Sequence, residues 1–530
     1  MIDYFKKNSL SLLFIILASY AYLTSLLIGI SFDELFVIAR GEERLKYLYS
    51  LGNSKITYDH NQFFPGLYDT IAIFFTQLFP KKYTISSLHL VNTTFSILTL
   101  IGTYKLSKLI FNKVVAIIFI LIIYFNPIFF GHMAMNSKDT IIVFSFVWLL
   151  VTFLNYLKYQ NNPTKHKKLV LYACLFLSLG LGTRIQFFGL LIFFLPFLLV
   201  KNKIKNKNFS YKIFIKDFFI IGFISYFFMI AAWPHVHSNI FTAPFNFFVE
   251  SLNLKNGPPT ILFNGEVFDP EKVPYTYFFS NLLYRSPEYI IVLYIIFIST
   301  LLFYYRFYKK NVNDFNLIIS VSLLITLFPT ILMMLTDIRV FDGIRYFLFI
   351  IPFYSVVPSV TVYYLIKKTK SIYVKFNLTL ICILVIFYIS VFIKINPYQY
   401  TFINSFVLNE KKIQNKFEND YWGISLREIV KKISKYENIN LINNKSIGVC
   451  GFYNPIFLLE IKKFPELNIV PVGLYGNDKI DFIITNNRSH YFKMDENNKE
   501  WVNCDNYFDG ETLIDVKTNK VTLSKFKKVN

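Results

Sequence analysis

Long apolar runs separated by short polar loops occupy the first three quarters of the chain. They cover Leu10–Ile30 and then residues 84–104, 114–131, 140–157, 169–183, 185–200, 218–233, 289–305, 315–335, 346–366 and 376–393. Several sit near the ~17-residue lower limit for a helix that crosses the hydrocarbon core of a bilayer. The pattern predicts a polytopic α-helical membrane protein with about eleven transmembrane helices. From residue 396 the pattern changes. Ser446–Cys450, Leu467–Val472 and Ile480–Thr485 read as short buried strands, and Trp422–Ile433 as a helix before them. Two parts are expected: a transmembrane domain over 1–395, with outer loops at 31–83 and 234–288, and a small α/β domain over 396–530.

Charge in the loops sets the expected orientation. Alternate loops carry Lys105, Lys108 and Lys113; Lys158, Lys165, Lys167 and Lys168; Lys201, Lys203, Lys205, Lys207, Lys212 and Lys216; Arg306, Lys309 and Lys310; and Lys367, Lys368, Lys370 and Lys375. The positive-inside rule places these in the cytoplasm. The intervening loops hold Asp33, Glu34, Glu42, Glu43, Asp139, Glu266, Asp269, Asp337 and Asp342. Pro65 to Pro80 is apolar but interrupted by Asp69. As a span it would move every later lysine cluster outside, so it is expected to lie on the outer surface. Lys6 and Lys7 precede the first run, which no small-residue cleavage site follows before Asp33, so it reads as a retained span rather than a removed signal. An odd number of spans then puts the N-terminus inside and the tail outside, periplasmic or extracellular, on a multi-pass protein of the cell (inner) membrane. In such an oxidising space Cys450 and Cys504 are a candidate disulfide pair. Cys174 and Cys382 fall in spans and read as packing residues.

Composition sharpens this picture. Hydrophobic residues make up 54% and charged residues 17%, with 61 Phe and 37 Tyr, against roughly 25% charged in soluble domains. A soluble domain, a disordered chain and a disulfide scaffold are all excluded. The formal charge is +22; the tail from residue 396 holds 19 Lys/Arg and 16 Asp/Glu, which leaves +19 for the rest. That excess lies between apolar runs and reads as membrane topology and contact with membrane lipids, with no nucleic acid partner. There is no zinc-type Cys/His spacing, no P-loop, no Rossmann glycine pattern and no long repeat.

The expected outer surface gathers the candidate chemistry. Asp33-Glu34 follows the first span, Asn136-Ser137-Lys138-Asp139 opens the fourth, and Thr183-Arg184 turns between two spans. Trp233-Pro234-His235-Val236-His237 ends the seventh, and Asp342-Gly343-Ile344-Arg345-Tyr346 opens the tenth. Acids and cations at one depth suit a phosphate-bearing substrate and a hydroxyl that must lose its proton.

An acidic pair right after the first span, a long first outer loop and an extracytoplasmic tail resemble the GT-C glycosyltransferases of the family 39 type: protein O-mannosyltransferases, lipid A aminoarabinose transferases and their bacterial relatives. Those relatives often read Asn-Pro-Lys-Asp where this chain has Asn136-Ser137-Lys138-Asp139, without the proline. His commonly follows their arginine where this chain has Arg345-Tyr346. Phe263-Asn264-Gly265-Glu266, Pro274-Tyr275-Thr276-Tyr277, Asn396-Pro397-Tyr398-Gln399-Tyr400 and Asp420-Tyr421-Trp422-Gly423 extend the resemblance to about residue 430. It implies a GT-C fold and transfer of a sugar from a polyprenyl-phosphate donor to a hydroxyl acceptor on a glycan, lipid or protein. It also implies Asp33 as general base.

Read from the residues, Asp33 is otherwise a helix cap. Asp139 is the second acid, or a carboxylate placed to suit a helix dipole. Glu34, also a candidate at the catalytic centre, lies about 100° around a helix from Asp33 and is better placed to bind a partner residue or the acceptor. Arg345 and Arg184 are the donor-phosphate candidates because a planar guanidinium matches phosphate oxygens; pairing with Asp139, Asp337 or Asp342 is the alternative. Lys138 touches phosphate or only snorkels. His235 and His237 are possible substrate or metal contacts; His60 and His132 are weaker ones. Whether no cofactor or a divalent metal ion is needed stays open. The competing functions are a transporter or flippase, and a polymerase or ligase of surface polysaccharide using lipid-linked substrates.

Overall fold

The computed structural model describes residues 2–57, 62–199, 209–253 and 257–407, and in the tail 413, 416–436, 445–451, 469–471, 480–486, 488, 493–495, 500–502, 504–518 and 521–529. His60, Lys201, Lys203, Lys205, Lys207 and part of the expected strand at 467–472 lie outside the described residues. The helices up to the midpoint are α1 (Ile2–Leu27), α2 (Phe32–Tyr49), α3 (Leu67–Thr76), α4 (Thr84–Ile110), α5 (Lys113–Tyr124), α6 (Pro127–His132), α7 (Asp139–Tyr159), α8 (Pro163–Thr183), α9 (Leu195–Leu199), α10 (Tyr211–Ala231) and α11 (Ala243–Asn253). A hairpin follows, β1 (Ile261–Phe263) with β2 (Glu266–Phe268). Then come α12 (Tyr277–Arg285), α13 (Glu288–Asn311), α14 (Phe315–Leu335), α15 (Ile351–Tyr354), α16 (Val356–Lys367) and α17 (Ile372–Lys394).

The protein is a multi-pass membrane protein. Among the described residues eight helical stretches are long and apolar enough to cross a bilayer, one of them, Arg345–Lys367, being a 3₁₀ helix followed by α15 and α16. Their lipid-facing sides are visible in stripes such as Phe219, Phe223 and Phe227 on α10, exposed at successive four-residue steps. Three of the eleven apolar runs take other forms. The run at 114–131 is split, because Asn126 caps a new helix by accepting from the Ile128 and Phe129 amides at 3.1 and 3.0 Å, with Pro127 at its first position. The run at 169–183 is the end of α8, whose first turns carry Lys165, Lys167 and Lys168. The run at 185–200 opens as a ten-residue 3₁₀ helix, Ile185–Phe194, before the five residues of α9. At about 2.0 and 1.5 Å rise per residue the two together reach roughly 28 Å, close to bilayer thickness. α3 has ten residues, about 15 Å, and is too short to cross. Its Asp69 is instead buried between Arg40 at 2.9 Å and Arg44 at 3.3 Å.

The tail is α/β. It holds α18 (Leu426–Ile433), β3 (Ile447–Cys450), β4 (Ile469–Pro471), β5 (Phe482–Thr485), β6 (Lys493–Asp495), β7 (Glu500–Val502), α19 (Cys504–Tyr507), β8 (Gly510–Thr518) and β9 (Val521–Val529). The main sheet has the order β4-β3-β5-β9-β8, with β3 parallel to β4 and β5, and β9 antiparallel to β5 and β8. Cys450 and Cys504 form a disulfide that ties the end of β3 to α19. The expected helix at 422–433 starts later, at Leu426, because Asp420 turns the chain first, accepting from the Ile424 and Ser425 amides at 3.0 and 2.9 Å.

The tail is welded to the helices rather than tethered to them. α18 buries Leu426, Ile429, Val430 and Ile433, one face of a helix. Arg427 donates to the Ile28 carbonyl at 2.9 Å. A Cβ at Gly29 would stand 2.5 Å from the Ile424 carbonyl oxygen, so only glycine allows the α1–α2 turn this close to the tail. Buried Arg285 on α12 donates to the Tyr400 and Glu418 carbonyls at 3.1 and 3.0 Å. The result holds the start of α2, the start of α7, the segment before α15 and the tail together at one end of the bundle.

Candidate active site

Asp33 lies in the first turn of α2, with Ser31 as N-cap. The Ser31 amide donates to Glu34 Oε2 at 2.8 Å, which closes the helix start. Glu34 is fully buried, and its Oε1 lies 2.7 Å from His89 Nε2. One residue apart, the two acids therefore part company: Glu34 faces the helix core and Asp33 the open end, where its side chain is 27% exposed. Asp33 Oδ2 accepts from Arg345 Nη1 at 2.8 Å. Burial by itself would raise the Asp33 carboxyl, but Arg345, Lys138 and Arg40 outweigh it and hold it at about 2.

Arg345 opens a 3₁₀ helix, Arg345–Ile350. The turn before it has Asp342 at φ +57° and Gly343 at φ +69°, left-handed values that aim both Asp342 and Arg345 into the same space. Arg345 Nη2 reaches Asp342 Oδ2 at 3.1 Å and donates to the Tyr346 hydroxyl at 2.7 Å. Its Cζ lies 4.5 Å from the Tyr346 ring centroid and 5.0 Å from that of Trp422. A single guanidinium thus bridges two carboxylates from chain segments about 300 residues apart.

Asp139 opens α7. Its amide donates to Asn136 Oδ1 at 2.9 Å, and its Oδ2 accepts from Asn136 Nδ2 at 3.0 Å. Oδ1 lies 2.9 Å from Arg184 Nη2. The Arg184 Cζ lies 5.1 Å from the Tyr346 ring that also carries Arg345. Lys138 sets its Nζ 4.4 Å from the Phe64 ring centroid, with Arg40 Cζ 5.3 Å from the same ring. Burial, followed by the Arg40 charge, pulls the Lys138 ammonium down to about 7.

The structure therefore brings together Asp33, Asp139, Arg345, Arg184 and Lys138, and turns Glu34 away. His237 is engaged elsewhere, with Nδ1 at 3.0 Å from the Tyr47 hydroxyl and Nε2 at 2.8 Å from the Ile230 carbonyl. Burial and the charge of Arg44 push the His235 ring below its ordinary value. Among the described residues no three His, Cys, Asp or Glu side chains converge as a metal set. His132 is buried with its Nε2 3.0 Å from the Tyr421 hydroxyl, where it joins the tail to α6. Sequence reasoning missed Arg40 and Arg488, and held Tyr346 and Trp422 only as members of motifs, without a role in the site. For Arg40 a signal existed: Arg40 and Arg44 stand one helical turn apart, and Asp69 is the single acid of an apolar segment that needs a partner. Arg488, which approaches from the tail to place Nη1 3.2 Å from Asp342 Oδ1, carries no such signal.

Compared with solved structures, the chain is similar to ArnT from Cupriavidus metallidurans in the apo state, with 10% identity, TM-score 0.51, and 90% of this chain and 93% of that one covered. The same protein bound to undecaprenyl phosphate matches over the same shares at 10% identity and TM-score 0.50. The oligosaccharyltransferase AglB from Archaeoglobus fulgidus aligns at 12% identity and TM-score 0.47, over 91% of this chain and 70% of that one. No family model matches the chain, and no curated protein matches it in sequence. The ArnT likeness shows the fold: a GT-C polytopic membrane architecture with an α/β tail.

Proposed function

We propose that the chain is an integral membrane glycosyltransferase that moves a sugar from a polyprenyl-phosphate donor to an acceptor hydroxyl on the outer face of the membrane. In this reading residues 1–395 form the transferase domain and 396–530 the extracytoplasmic domain. The observation that carries it is the bridge from Arg345 to Asp33 and Asp342, with Arg184–Asp139 beside it. It supplies guanidinium for an anion and a carboxylate for a proton at one place. The ArnT structure with undecaprenyl phosphate supports this class of ligand.

Chemically, a donor phosphate that enters competes with Asp33 for Arg345. Asp33 then loses the largest of the counter-charges that hold it near 2, and its basicity rises, with Lys138 and Arg40 still set against burial. Its carboxylate takes the acceptor's O–H proton as that oxygen bonds to the anomeric carbon. The bond from that carbon to the phosphate oxygen breaks, and its electron pair leaves on the phosphate, held by Arg345 and Arg184. One displacement inverts the anomeric centre. The test is sugar transfer by purified protein from polyprenyl-phosphate sugars; absence of transfer from every such donor tried favours the transporter reading.

Two further results are expected. Lys138, at about 7, must take up a proton to meet a phosphate above neutrality. Polyprenyl-phosphate affinity should therefore weaken by up to about tenfold per pH unit above about 7. In Lys138→Arg, whose cation does not titrate, that decline should vanish; a wild type with pH-independent affinity from 7 to 9 removes Lys138 from the site. For topology, a reporter after residue 205 should read cytoplasmic and one after residue 420 extracytoplasmic, in keeping with the Cys450–Cys504 disulfide. A cytoplasmic signal at 420 would reverse the orientation.

A further inference from the structure

Asp342 is the hub of a relay that ends in the tail. Its side chain is 1% exposed, and its two oxygens serve two arginines: Oδ2 faces Arg345 at 3.1 Å and Oδ1 faces Arg488 at 3.2 Å. Arg488 also donates from Nη1 to the Tyr421 carbonyl, and its Cζ lies 5.9 Å from the ring centroid of Phe32, the residue before Asp33. The arginine thus touches both segments that carry the Asp33–Arg345 pair. Its own position is set by the sheet. β5 ends at Thr485, which pairs in register with Cys450, the disulfide half-cystine of β3. Gly451 then packs so closely on Asn486 that a Cβ there would stand 2.3 Å from Asn486 Oδ1. Arg488 follows two residues on.

We propose that Arg488 is a positioning residue for donor binding, acting through Asp342 on Arg345. This rests on the glycosyltransferase reading and adds the tail domain to the donor site. The positive charge of Arg488 partly cancels the field of the Asp342 carboxylate at Arg345. With Arg488 in place, Arg345 is held in orientation yet free to exchange Asp33 for the donor phosphate. Without Arg488, the whole negative charge of Asp342 acts on Arg345 and competes with the phosphate. A merely structural role would loosen the tail instead, with no selective effect on the donor.

The test measures binding of undecaprenyl phosphate and the donor KM and kcat for full-length wild type, Arg488→Ala, Arg488→Lys, Asp342→Asn and the Arg488→Ala/Asp342→Asn double variant. Arg488→Ala should weaken binding and raise the donor KM about tenfold, the middle of the range for members of one salt-bridge network, with a smaller change in kcat. Arg488→Lys should recover most of the affinity. In the Asp342→Asn background, Arg488→Ala should have no further effect on donor binding, because the relay is already cut. Equal donor binding by wild type and Arg488→Ala overturns the inference alone. So does a loss in Arg488→Ala that persists undiminished in the Asp342→Asn background, or one that Arg488→Lys fails to recover. If Arg488→Ala does not fold, Asp342→Asn decides: an unchanged donor KM there overturns it. A wild type that neither binds undecaprenyl phosphate nor transfers from it overturns the functional reading and the inference together.

Discussion

Asp33→Asn should reduce sugar transfer at least ~10²-fold, the usual size of a general-base contribution, while the protein still inserts and folds. Asparagine keeps the shape of the side chain but loses the negative charge and with it the capacity to accept a proton. The side chain is 27% exposed at the first turn of α2, and an asparagine oxygen there can still accept from Arg345, so the fold has little to lose. The neighbouring cap is made by Ser31 and Glu34, which the change leaves intact. The substitution also releases Arg345 from one partner, so donor binding should hold or tighten as turnover collapses. That split between kcat and binding is the signature of a lost base rather than a damaged site. Near-normal turnover would reject Asp33 and move the role to Asp139, whose pairing with Arg184 mirrors the Asp33–Arg345 pair. Glu34 is the poorer alternative, being fully buried against His89. Because Asp33 stays ionised down to about pH 2 in the free protein, kcat/KM should show no acid limb from this group between pH 5 and 8.

Arg345→Lys should weaken donor binding by about 10²-fold, about the energy of two charge-assisted hydrogen bonds. The lysine keeps the charge but cannot bridge Asp33 and Asp342 at 2.8 and 3.1 Å with one planar group, nor stack on Tyr346 and Trp422 as a guanidinium does. Arg345→Ala is expected to do more than this. It leaves the buried Asp342 with one cation and takes from Asp33 its hydrogen-bonded partner, and removing one partner of a buried pair costs about 3–5 kcal/mol. Thermal unfolding should therefore be followed beside binding, so that loss of affinity is separated from loss of fold. A donor affinity unchanged in a folded Arg345→Lys would exclude Arg345 as the phosphate ligand.

These residues were legible in the sequence to unequal degrees. Apolar length is enough to mark the spans, because burial in lipid needs nothing beyond length and low charge: seven of the eleven runs are single long apolar helices, and an eighth, at 346–366, crosses as consecutive helical pieces. The run at 114–131 breaks at Asn126-Pro127; the cap and the proline were visible, but the apolar residues beyond them masked the break. The strands β3 and β5 were read from their apolar runs. β8 and β9 were missed because lysines at Lys517, Lys525, Lys527 and Lys528 interrupt the alternation. Lys525 and Lys527 in fact share Asp505 as an ion-pair partner, which sequence distance hid.

What the sequence determined by itself was therefore local: which segments enter the membrane, where short strands fall, and which acids and arginines stand at span ends. Hydrophobic periodicity and loop charge are properties of neighbouring residues, and they survive without knowledge of the fold. What only the tertiary structure decided was partnership. Asp33 pairs with Arg345 across 312 positions, Asp342 is shared with Arg488 of the tail, and Asp33 and Glu34 take different partners though they are adjacent. Each of these depends on how helices and tail pack, since a charge excluded from water takes whichever counter-charge the packing brings within reach.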